Sequence, residues 1–325
     1  MDDTKRLLVV DALNMYFRAY IVNPTLSTNG QPIGGTVGFL KILQKLCREI
    51  RPDEIVICWD GEGGSRKKKL VNKGYKAGRK PIRLNRDIRN LTDNEEMENK
   101  VWQQTRLFEY LNNLTVIQLM LPSVEADDII AQVVQSPQYS GWQKVIVSSD
   151  KDFFQLCDDE TVVFRPIQKE VMTSDTIVKK FNIHPSNFAL ARAIAGDKSD
   201  NLPGIRGAGL ATIAKRFSFL SEDRSHTLTK ILQHCKKIEK PLKVHTEILE
   251  NEELIQENYK LMQLYLPSIS VQGKNKIKYT IENFVPEFNL TNFRAMSLED
   301  GFIELSFDEL FTTMKRMVVE SKTEN

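Results

Sequence analysis

Three short apolar runs in this chain each end on an aspartate: residues 7–10 before Asp11, 55–59 before Asp60, and 145–149 before Asp150. Apolar runs of this length read as strands, and near-continuous apolar character suits strands buried inside a parallel sheet. In an open parallel α/β sheet, ligands sit beyond the carboxyl ends of the strands, so three carboxylates placed there can converge on one point. That convergence is the geometry of a metal site.

The first half of the chain supports such a sheet. Helical patterns at about 35–49, at about 95–111 and after Pro122, where Ser123 is the expected cap, alternate with strand patterns to 10, from 54, from 114, near 145 and near 161. Strands separated by helices imply right-handed crossovers and a mainly parallel sheet with helices on both faces, so the fold class is α/β. From about 181 strand signals fade and helical periodicity takes over at 187–195, 209–217, 231–235 and 247–264. We therefore expect two domains, 1–180 and a helical 181–325, as a length of 325 residues allows. Two further short strands are expected at 269–271 and 277–281, around the segment 273–276. The amphipathic pattern from Phe307 to Met314 is read as core packing in preference to a protein contact.

Composition removes several function classes. With 41% hydrophobic residues and no apolar run near the ~18 residues of a membrane span, a soluble protein is expected. The N-terminus lacks the regions of a signal peptide, which implies the cytoplasm. Cys47, Cys58, Cys157 and Cys235 have neither close pairing nor zinc spacing and read as reduced structural thiols. His184, His226, His234 and His245 sit in no nucleophile motif, which argues against serine or cysteine hydrolase chemistry.

Charge is distributed unevenly. Residues 61–90 hold eleven Lys and Arg against Glu62 and Asp87, a local charge of +9, which leaves −7 for the remainder of a chain whose net is +2. This segment, punctuated by Gly61, Gly63, Gly64, Gly74 and Gly78, carries too little apolar surface to join a core and is expected to be a mobile excursion over the strand ends. It directly follows Asp60, so a purely solvated face is the weaker reading.

Two acidic clusters join the strand-end aspartates. Glu125, Asp127 and Asp128 open a helix, where acidic residues are ordinarily explained by the macrodipole. Asp150 and Asp152 are followed by Asp197 and Asp200 in a turn dense in Gly and Asp, 196–209. Brought together, these nine carboxylates would repel severely without cations, and an all-oxygen ligand set suits Mg²⁺ or Mn²⁺. Two such ions form a standard apparatus for phosphodiester hydrolysis.

The blocks VVDALNMYFRAY, CWDGEGGSRKKKLVNKGYKAGRK, VEADDIIA, VSSDKDFFQL and GDKSDNLPGIRGAGLATIAKRF, in this order and over about residues 5–217, resemble the signature blocks of the flap endonuclease family of 5′ nucleases. The similarity is to the bacteriophage branch, related to the 5′ nuclease domain of bacterial DNA polymerase I, and GDKSDNLPG is its most specific element. The resemblance implies a PIN-like catalytic domain at 1–180 with a basic arch at about 61–90, and a C-terminal domain carrying a helix-turn-helix (H3TH-like) duplex-binding element. It assigns Asp11, Asp60, Glu125, Asp127, Asp128 and Asp150 mainly to a first Mg²⁺ or Mn²⁺, and Asp152, Asp197 and Asp200 to a second. Lys76 and Arg79 fall on family arch positions that reach the scissile phosphate, and Tyr75 beside them is expected to stack on a base, as aromatics do in single-strand channels. At the turn, Gly207 and Gly209 allow close approach of backbone to duplex phosphates, with Lys198, Arg206, Lys215 and Arg216 as phosphate partners and a K⁺ at the turn.

The activity implied is a 5′ to 3′ exonuclease and 5′-flap endonuclease that removes RNA primers, a ribonuclease H-type activity, and flaps during DNA replication. Branched or nicked duplex DNA and RNA–DNA hybrids are the implied substrates, a single-stranded DNA-binding protein or sliding clamp the implied replisome partners, and a monomer the implied state. No polymerase region follows the nuclease blocks, so a stand-alone enzyme is expected, in a bacterial host's cytoplasm if phage-encoded. A PIN-like endoribonuclease shares strand-end carboxylates but does not need the GDKSDNLPG turn. A catalytically silent junction binder has no use for nine clustered carboxylates.

Overall fold

The computed structural model describes residues 4–79, 82–85, 87–88, 91–302 and 305–323. Six strands form one sheet in the order β3-β2-β1-β4-β5-β6: β1 Arg6–Asp11, β2 Glu54–Trp59, β3 Ile117–Met120, β4 Gln143–Val147, β5 Thr161–Arg165 and β6 Glu170–Met172. All neighbours are parallel except β6, an antiparallel edge strand that the sequence patterns do not announce. In register, Leu8 faces Ile55 on one side and Val145 on the other, so β1 is central.

Alternation along the strands sends side chains to opposite faces, and each face is covered. One face (Val9, Val56, Ile117, Ile146) shares a core with Ile194, Ile213, Ile248, Ile255 and Ile277. The other (Leu8, Val10, Ile55, Ile57, Val147) shares a core with Phe293, Leu310, Phe311 and Met314. Both cores cross residue 180, and the C-terminal helix Asp308–Thr323 returns to pack on the Gly34–Ile50 helix. The amphipathic pattern near residue 310 is thus core, as read from the sequence.

Three local expectations are corrected, and one helix was not foreseen. A helix, Ala12–Val22, follows β1 directly, burying Met15, Tyr16, Ala19 and Tyr20 in a helical spacing hidden beside the strand signal. Residues 269–281 form no strands: Ser270 caps a helix, Val271–Glu282, by accepting from Gly273 N at 3.1 Å, and the four-residue spacing of buried Ile277 and Ile281 is a helix period. The single helix expected at 247–264 is two, Lys243–Glu250 and Glu252–Met262, broken at Asn251. The helix after Pro122 is Ala126–Val134, and Ser123 lies outside it at φ 59° and does not cap it. All four cysteines are buried thiols, and no helix among the described residues is long and apolar enough to cross a membrane.

Candidate active site

The order of strands reverses between β1 and β4, because the chain leaves β1 toward β2 and β3 and then returns to β4 on the other side. This switch point opens a crevice at the carboxyl ends. Asp11 closes β1, with Oδ1 accepting from Asn14 N at 3.1 Å and Oδ2 from the Ser148 hydroxyl at 2.9 Å. Asp60, just beyond β2, accepts from Ala126 N at 2.7 Å, so it rather than Ser123 caps the helix that carries Asp127 and Asp128. Asp150, beyond β4, caps the 3₁₀ turn Lys151–Leu156 by accepting from Asp152 N at 2.8 Å. Gly61 completes this end of the sheet: a Cβ there would stand 1.7 Å from Leu121 O, so only glycine lets the turn after β2 lie against the chain leaving β3.

Crowding shows in the carboxylates themselves. Burial pushes Asp11 up to about 7, against the Asn14 and Ser148 hydrogen bonds and with repulsion from Asp60 and Asp150. Burial and then the charge of Asp152 push Asp150 up to about 7. Asp127 is raised well above the carboxylate range by burial and then by Asp150, and Asp152 is raised by burial although Arg192 opposes it.

Cations are lodged among these groups. Glu125, 3% exposed, meets Lys68 Nζ at 2.6 Å and Lys76 Nζ at 2.5 Å and accepts from the Tyr75 hydroxyl at 3.1 Å. Burial alone would raise Glu125, but the two ammonium groups outweigh it and hold it at about 2. Asp128 accepts from Ser268 N at 2.7 Å and lies 3.8 Å from Lys68. Arg192 Nε donates to Asp152 at 2.8 Å and its Nη2 to Asp197, whose other oxygen accepts from Ser199 N and Ser199 Oγ, each at 2.6 Å. Arg79 pairs with Asp200.

The structure therefore gathers the nine expected carboxylates into one connected cluster with Lys68, Lys76, Arg79 and Arg192. Among the described residues, no three acidic, histidine or cysteine side chains form a group that could hold an ion, and ammonium and guanidinium groups pair with Glu125, Asp152, Asp197 and Asp200. The donor set still fits a hard divalent cation: it is carboxylate only, and its acids outnumber its bases. Lys68 and Arg192 were not foreseen. Lys68 is one of three consecutive lysines, and only helical phase in Arg66–Val71 selects it. Arg192 carried a readable signal, a lone charge in the apolar run 188–195, which a buried helix tolerates only with carboxylate partners.

The described part of the basic segment up to residue 79 is docked, where a mobile excursion was expected. Its anchor is Tyr75, 2% exposed and packed with Leu202, Leu261 and Met262. The ring is therefore unavailable to stack on a base in this conformation, and the expectation for Tyr75 is corrected: the sequence shows an aromatic in a basic run but not the pocket waiting for it. Lys76 sits at φ 55°, a strained value for a side-chain-bearing residue, and is held there by Lys76 N donating to Asp200 O at 2.8 Å and by its bond to Glu125. Lys80, Arg86 and Arg89 lie outside the described residues.

The expected duplex-binding element is a helix, Pro185–Ala195, a turn, and a second helix, Leu210–Arg216. The turn folds back on the first helix so closely that a Cβ on Gly204 would stand 1.9 Å from Ala195 O. Lys198, Arg206, Gly207, Gly209 and Lys215 are exposed, and a Cβ on Gly207 or Gly209 would meet nothing within 4 Å. Arg216 differs: it is half-buried, with Nε buried and unpartnered, near enough to His245 to help depress that imidazole after burial.

Comparison with known proteins adds kinship. The family model described as 5′-3′ exonuclease, N-terminal resolvase-like domain, matches residues 6–182. A 5′-3′ exonuclease of Aquifex aeolicus is 29% identical over 267 residues, 80% of this chain and 82% of the relative. The thermostable DNA polymerase I of Thermus aquaticus is 30% identical over 211 residues, 65% of this chain but only 23% of the polymerase. In fold, the bacteriophage T5 D15 flap endonuclease, solved in a pseudo-enzyme–product complex with DNA and metal ions, superposes with a TM-score of 0.63 at 19% identity, over 92% of this chain and 100% of its own.

Proposed function

We propose, from the premise that this chain belongs to the 5′-3′ exonuclease family and is a nuclease of that kind, that it hydrolyses phosphodiester bonds with divalent metal ions at the β1/β4 crevice. The observation that carries the reading is the gathering of nine carboxylates beyond the strand ends, beneath a basic segment. Asp11, Asp60, Glu125, Asp127, Asp128 and Asp150 would hold a first Mg²⁺ or Mn²⁺, and Asp152, Asp197 and Asp200 a second. When bound, such ions lower the pKa of a coordinated water and offset charge on the phosphoryl oxygens.

The chain's own residues do the rest. Lys76 and Arg79, whose charged ends rest on Glu125 and Asp200, donate to the charge that develops on the reacting phosphate. Lys198, Arg206 and Lys215, with the open backbone at Gly207 and Gly209, grip duplex phosphates, and a K⁺ at this turn belongs to the same reading. Contacts of this kind carry no sequence information, so recognition follows shape. Residues 1–180 form the catalytic domain and 181–325 the duplex-binding domain, joined by shared cores. The substrates are 5′ flaps, nicked duplexes and RNA-primed duplexes met during replication, in the cytoplasm, by a monomer that works beside a single-stranded DNA-binding protein or clamp.

The test is product mapping on a labelled 5′-flap, a nicked duplex and an RNA-primed duplex, with Mg²⁺ or with chelator. Mg²⁺-dependent products near the 5′ end of all three are expected. Cleavage confined to single-stranded RNA would favour an endoribonuclease, and binding without cleavage would overturn the enzyme reading.

A further inference from the structure

Arg192 stands out because it takes up the carboxylates assigned to the second ion. Its fork spans two elements, Asp152 in the 3₁₀ turn after β4 and Asp197 in the glycine-rich turn, and its side chain is only 11% exposed. With Ser199 on the other oxygen, both oxygens of Asp197 are engaged, and Asp200 is held by Arg79. A cation that takes Asp152 Oδ1 or Asp197 Oδ2 must therefore displace an Arg192 contact. Arg192 has no easy retreat. It projects from the Pro185–Ala195 helix, where Ala191, Ala193 and Ile194 are buried, and a guanidinium cannot leave by losing its proton. Lys76, by contrast, sits on a short turn of the basic segment.

We infer that Arg192 is a positioning residue that competes with the second divalent ion for Asp152 and Asp197 and so sets how weakly that ion binds. Arg192 bridges the two carboxylates at low metal, and it makes the second ion bind more weakly than the first. This rests on the reading of Asp152, Asp197 and Asp200 as that ion's ligands. A merely structural arginine predicts the opposite sign, since its loss would loosen the site and weaken binding.

The test is calorimetric titration of Mn²⁺ into the whole chain without nucleic acid, at about pH 7.5, for wild type, Arg192→Gln, Arg192→Lys and Asp152→Asn, with melting curves in chelator. Arg192→Gln should tighten the weaker class of sites by at least ~10-fold, the scale of one charge-assisted hydrogen bond removed from the competitor. The tighter class should stay within about twofold, and the chelated variant should melt below wild type yet recover in Mn²⁺. Arg192→Lys keeps the charge but loses the two-armed fork, so it should fall between. Unchanged or weakened binding in a folded Arg192→Gln overturns the inference. If that variant does not fold, absence of tightening in Arg192→Lys overturns it. Should Asp152→Asn leave both classes intact, the ligand assignment itself fails, which is a separate result.

Discussion

Asp150→Asn should abolish metal-dependent cleavage and at the same time stabilise the chelated protein at alkaline pH. Asp150 is pushed from 3.8 up to about 7, first by burial and then by Asp152. A carboxyl whose folded pKa is raised stabilises the fold fully below its unfolded pKa, and that contribution is lost as pH rises through about 7. Between pH 5 and 8 the wild type passes through much of this shift, a loss on the order of 1 kcal/mol once solvent around the half-buried side chain screens it. Asparagine has nearly the same shape and does not ionise, so the variant escapes the loss. The measurement is a pair of melting curves, wild type and variant, in chelator at pH 5 and pH 8. The variant's advantage should widen with pH by a few degrees, and saturating Mg²⁺ should reverse it by stabilising only the wild type strongly. A melting difference independent of pH would refute the placement of Asp150 in a crowded acidic site. Near-normal turnover by the variant would remove it from the reaction.

Three further outcomes are expected. The double variant Lys76→Ala, Arg79→Ala should lose single-turnover rate on a 5′-flap by at least ~10²-fold with little change in affinity, because its donors act on charge that appears only in the transition state; full rescue at saturating enzyme would show a binding role instead. Lys215→Ala should lower the slope of log K against log[salt] for duplex binding by roughly 0.9, whereas half-buried Arg216→Ala should lower the melting temperature and leave the slope nearly unchanged; equal slope losses in salt titrations of the two variants would contradict the difference in burial. Gly204→Ala places a Cβ against the Ala195 carbonyl, where backbone cannot yield, and should destabilise by roughly 3 kcal/mol or more; a melting temperature matching wild type would refute that close approach.

Much of the site was legible because strand-end position and residue type are both written in sequence. Apolar runs that close on Asp11, Asp60 and Asp150 can serve only a sheet whose carboxyl ends face a common crevice, and the nine carboxylates did gather there. The helical second half was legible by period, but the stretch 269–281 was not, since two short apolar groups around a polar center fit strand and helix alike until Ser270 caps one of them. The fate of charge was the least legible. Eleven basic residues in 61–90 read alike in one dimension, and nothing local separates Lys68, which ends 2.6 Å from Glu125, from its neighbours in the run. Nor does it reveal that Tyr75 finds a pocket built from Leu202, Leu261 and Met262, more than a hundred residues away. Backbone period and strand direction are local properties, so the order of residues was enough to place Asp11, Asp60 and Asp150 at the carboxyl ends of neighbouring strands. Which cation neutralises which carboxylate depends on Coulomb energy and desolvation, and so on distances through space that the order of residues does not contain.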